Sequence, residues 1–85
     1  EINMINKAQK KVIEAKAIEN IYTMTLERAD SEKEYYESLQ QDLQELLSAE
    51  EPNEYRIDIR KKDIEEIKVK VEAYIKLAEQ LLKLM

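Results

Sequence analysis

Apolar residues recur along this chain every seven positions, with others three or four positions away from them. In the second half Ile57, Ile64, Val71, Ala78 and Met85 form one such ladder, and Ile67, Tyr74 and Leu81 each follow one of its rungs by three. A heptad pattern held over about four repeats marks a helix packed lengthwise on another helix. In the first half a second ladder runs through Ala8, Ala15, Tyr22, Ala29, Tyr36 and Leu43, with Ile18, Leu39 and Leu46 three residues after some of its members.

Between the ladders lies Ser48-Ala49-Glu50-Glu51-Pro52-Asn53, which holds the single proline of the chain. Proline fits the first turn of a helix and disfavours helix in the residue before it, so a boundary belongs here. The pattern therefore predicts one all-α domain over residues 1–85. It is a long antiparallel, coiled-coil-like hairpin with helices over about 2–47 and 53–85 and a turn at about 48–52. An alternative is a three-helix bundle with a break near Asp30. There Thr25 and Glu32 occupy seam positions, and Ser31 to Glu34 has the spacing of a capping box. The single helix is favoured because the ladder keeps its phase across Asp30, and a turn shifts phase.

Packed antiparallel about Pro52, the ladders pair Leu46 with Ile57, Leu39 with Ile64, Tyr36 with Ile67, Ala29 with Tyr74, Tyr22 with Leu81 and Ile18 with Met85. A large ring meets a small side chain at Ala29, as close packing requires. The same register sets Glu32 against Val71 and Arg60 against Leu43, polar seam residues of the kind that fix register. Of the adjacent pair Tyr35 and Tyr36, the second belongs to the seam and the first points away.

The arms are unequal. In this register residues ahead of Ile18 have no partner within the chain, yet they include Ile2, Met4, Ile5, Ala8, Val12 and Ile13. Burying a large aliphatic side chain contributes about 1.5 to 3 kcal/mol, so a partner is expected to cover them. The apolar stripe also widens at this end, at Ile75, Leu77, Ala78, Leu81, Leu82, Leu84 and Met85 in the second arm and at Ile18, Ile21, Tyr22, Met24 and Leu26 in the first, which suits a bundle of three or more helices. The candidate protein interface is thus Ile2, Ile5, Ala8, Val12, Ile13, Ile75, Leu77, Leu82, Leu84 and Met85. Its expected occupant is a second copy, giving a homo-oligomer such as a dimer, or another helical protein.

Composition narrows the chemistry. The chain has no Gly, Cys, His or Trp, and 39% of its residues are charged. Without Gly, tight turns with positive φ are hard to make and sheets are disfavoured. The lack of Cys and His removes disulfides, thiol sites and the commonest metal ligand and general base. No cofactor, metal or catalytic residue is assigned, and the chain is not expected to be an enzyme. A net charge of -5 argues against nucleic acid as a direct partner. No apolar run is long enough to span a bilayer, and the start Glu1-Ile2-Asn3-Met4 is not a signal peptide, so a cytoplasmic protein away from membranes is expected.

The charged clusters carry weaker signals. Arg56 and Arg60 share a helical face and could grip phosphate or an acidic peptide, but Asp58 and Asp63 interleave with them, the mark of a solvated face. The acidic groups around Glu34 and Glu50 lack the His of di-iron bundles and the Gly of calcium loops. The predicted function is a non-catalytic coiled-coil module for protein interaction, oligomerisation or scaffolding. One alternative is a small phage or bacterial regulator acting on a transcription or nucleic-acid complex through protein contacts. A second is a small helical enzyme using Arg28, Lys33, Arg56, Arg60 and Gln80.

Overall fold

The computed structural model describes residues 6–85. Two helices account for almost all of them: α1, Lys7–Leu47, and α2, Glu54–Leu84, packed side by side as a hairpin. The three-helix alternative does not hold. The helix runs unbroken through Asp30, and the Ser31 to Glu34 pair sits inside it. Strong helix formers fill both sides of Asp30 and the seam keeps its phase, so there is nothing for a break to gain.

Each helix starts on an asparagine. Asn6, in extended backbone, accepts from the Gln9 N–H at 2.8 Å while the Gln9 side chain accepts from the Asn6 N–H at 3.0 Å. This reciprocal capping box satisfies two donors that a helix start leaves orphaned. It sets the beginning of α1 at Lys7 rather than about Ile2. Asn53 caps α2 by accepting from the Arg56 N–H at 3.1 Å, so Pro52 lies just outside the helix and α2 starts at Glu54. The α1 end is closed by Ser48, whose N–H and Oγ both donate to the Gln44 carbonyl. Among the described residues none adopts positive φ. A connection of six residues turns the chain without glycine because helical, bend and extended conformations suffice at this length.

The seam is the predicted one. Thr25, Ala29, Leu39, Ile57 and Ala78 are buried, and Ile18, Tyr22, Glu32, Tyr36, Leu43, Leu46, Arg60, Ile64, Ile67, Val71, Tyr74 and Leu81 are half-buried. These positions alternate spacings of three and four, the antiparallel coiled-coil pattern. Leu39, at 2% exposure, is the most enclosed side chain. The buried Thr25 hydroxyl donates to the Ile21 carbonyl one turn back at 2.7 Å, which lets a polar side chain sit in an apolar layer. Tyr36 is half-buried while Tyr35 faces outwards, as two neighbours on a helix must.

The outcome is a rod of 73 × 24 × 14 Å with a radius of gyration of 20.5 Å. A compact domain of this length has a radius near about 12 Å. The exposed surface is 7349 Å² for 10.1 kDa, against about 5,300 Å² for a compact monomer of that mass. The excess, on the order of 2,000 Å², is more than the roughly 800 Å² that one partner contributes to a specific interface.

Candidate protein interface

Heptad positions sort the rest of the surface. With a at Tyr22, Ala29, Tyr36 and Leu43 in α1 and at Ile57, Ile64, Val71 and Ala78 in α2, the seam takes a and d. The flanks on its two sides are then g with c, and e with b.

Near the turn the e and g positions of α2 are charged, although Leu47 at e of α1 and Ile59 at c of α2 are exposed there. Arg56, Asp63 and Lys70 fill the g positions of α2, and Lys61 and Lys68 its e positions. The next heptads change character. Leu77 and Leu84 occupy g, and Ile75 and Leu82 occupy e, all of them exposed. The facing stretch of α1 matches, with Ile21 at g, Met24 at c and Leu26 at e, also exposed. A two-helix seam with charged e and g positions is complete in itself. One with leucine and isoleucine there has apolar surface left for further helices.

The predicted interface residues are therefore brought to one end of the rod but divided between its sides. Leu77 and Leu84 lie on the g flank, and Ile75, Leu82 and Val12 on the e flank. Ala8 is an exposed a position, and Met85 ends α2 at 59% exposure. Val12 and Ile13, at 62% and 54% exposure, are neighbours about 100° apart around the helix and serve different sides. Ile2 and Ile5 lie outside the described residues. Ile21, Met24 and Leu26 belong to the same surface. Their signal was legible as the widening of the apolar stripe, but only the seam assignment separates surface from core.

The overhang of α1 is visible in the burial pattern. Every residue from Asn6 to Ala17 is exposed and Ile18 is the first to be shielded. About 16 Å of helix thus projects past the end of α2.

At the turn end, Arg56 and Arg60 line an open groove with Asp42, Glu45, Leu46, Ala49 and Ile59. Arg60 pairs with Asp63 at 3.6 Å, and its Nε is buried without a partner. Neither arginine forms an ion pair with Asp42 or Glu45 across this groove. Among the described residues no group of three or more acidic side chains is placed to hold a metal ion, and no helix is long and apolar enough to cross a membrane.

No protein-family model, curated protein or solved structure matches the chain.

Proposed function

We propose that the hairpin is a non-catalytic, self-associating coiled-coil module whose open end docks on a second copy to complete a helical bundle. The observation that carries this reading is the change of chemistry at the e and g positions of α2, charged beside the turn and aliphatic at the open end. Exposed surface beyond the needs of a compact monomer supports it, because a small two-helix domain buries little of itself alone. No helix among the described residues is long and apolar enough to cross a membrane, and a cytoplasmic location is part of this proposal.

Light scattering across a concentration series tests the proposal, with a Leu77→Asp, Leu84→Asp variant alongside. The expected result is a dimer or larger species that the variant dissociates. A monomeric mass at every concentration overturns it and leaves a different helical protein as the occupant to seek.

A further inference from the structure

The g and c flank of α1 is divided into three chemical zones. Lys7 and Lys10 stand at its start, with Glu14 after them; Ile21, Met24 and Tyr35 are exposed in its middle, with Arg28 among them; and Asp42, half-buried, and Glu45 lie near its end. The surrounding sequence follows the same polarity. Residues 7–17 hold four lysines and one glutamate, whereas residues 27–51 hold nine acidic and two basic residues. A stripe that is basic, then apolar, then acidic is complementary to its own reverse.

From this we infer that the second copy lies alongside the first, α1 antiparallel to α1 on this flank. The basic overhang of each chain then rests on the acidic end of the other. The inference rests on the self-association proposed above and specifies its arrangement. A twofold axis near the middle of α1 makes the contact isologous, so every ion pair occurs twice. Setting Lys10 level with the second copy's Asp42 brings Ala17 opposite Tyr35 and Ile21 opposite Ser31, large against small. The second α1 then runs in the furrow beside Leu77 and Leu84 and covers them. Arg56 and Arg60 line the far end of this furrow together with Asp42 and Glu45, and Arg60 is already paired with Asp63, so the incoming lysines share the two carboxylates with these arginines. Meeting open end to open end instead would press two lysine-rich overhangs together, a like-charge contact that disfavours the complex.

Charge reversal tests this directly, by sedimentation velocity on the whole chain. One variant carries Lys7→Glu and Lys10→Glu, the other Asp42→Lys and Glu45→Lys, with circular dichroism as the check that each stays helical. Each variant alone sets like charges against each other at both ends of the contact. Its dissociation constant is expected to rise by about tenfold or more. An equimolar mixture restores opposite charges at both ends and is expected to form the heterodimer. If the lysine-reversed variant associates more tightly than the wild type, the open ends meet each other and the antiparallel arrangement is wrong. Association unchanged in both variants also overturns it while self-association stands. A wild type that stays monomeric removes the self-association itself, and so does one that instead co-sediments with anionic vesicles as a monomer.

Discussion

Lys70 of α2 reaches across the seam to Glu32 of α1, Nζ to Oε1 at 3.1 Å. Glu32 occupies a position that the heptad reserves for an apolar residue and is largely shielded, whereas the Lys70 side chain is about half exposed at 52%. A lone carboxylate in the seam carries a desolvation cost that its partner only partly offsets. Register is what the pair supplies: with Arg60 and Thr25 it makes a one-heptad slip of the helices expensive.

Replacing Glu32 with Leu is therefore expected to stabilise the hairpin by about 1 kcal/mol, through added apolar burial against Val71. Lys70→Ala, which leaves the carboxylate behind, is expected to cost about 0.5 to 1 kcal/mol because the lysine is half solvated. Urea unfolding followed by circular dichroism, at one fixed protein concentration, measures both. A Glu32→Leu variant less stable than the wild type would refute this account of the pair.

Leu39 anchors the core, and Ala29 and Ala78 are small residues buried in the same seam. Leu39→Ala should lower stability by about 3 kcal/mol through lost transfer energy and the cavity left behind. Ala78→Leu should cost about 1 to 3 kcal/mol through overpacking. Leu47, half exposed beside the turn, should tolerate Ala with a loss of about 0.5 kcal/mol. Similar losses at Leu39 and Leu47 would contradict the burial pattern.

The seam was legible because a coiled coil writes its contacts into period seven. Ile57, Ile64, Val71 and Ala78 need no structure to be placed together, and the proline marked the turn. The caps were less legible. Asn6 and Gln9 have capping spacing, but Ile2, Met4 and Ile5 extend the apolar pattern ahead of them and argue for an earlier start. Side identity was hidden too. Which side Val12 and Ile13 each serve follows only once the seam is fixed, since hydrophobicity alone merges both flanks into one wide stripe. Most of what remained depends on surface charge, which carries no periodic signal.

Continuity of α1 through Asp30 gives a sharp test. Ser31→Pro removes a helical hydrogen bond in mid-helix and forces a clash with the preceding turn, so it should cost about 3 kcal/mol or more. A loop at that place would accept proline with little loss. Thermal unfolding of the variant decides between them, and an unchanged midpoint would mean that α1 is broken there after all.

The two asparagine caps should behave differently, because only one of them starts a helix that is packed from its first turns. Asn53→Ala is expected to lower global stability by about 1 kcal/mol, since Ile57 one turn later is buried in the seam. Asn6→Ala removes a fuller cap, a reciprocal box, yet the residues it orders have no cover within the chain. Fraying of that segment costs the folded hairpin nothing, so the global midpoint should hold while amides between Lys10 and Ala17 exchange faster. Hydrogen exchange by mass spectrometry reads both effects. Run as a dilution series, it also reports on the overhang itself. Its amides should exchange nearly unprotected at concentrations where the chain is monomeric and become protected as the second copy settles on it. Protection that does not change with concentration, in a chain that does associate, would locate the contact away from the overhang.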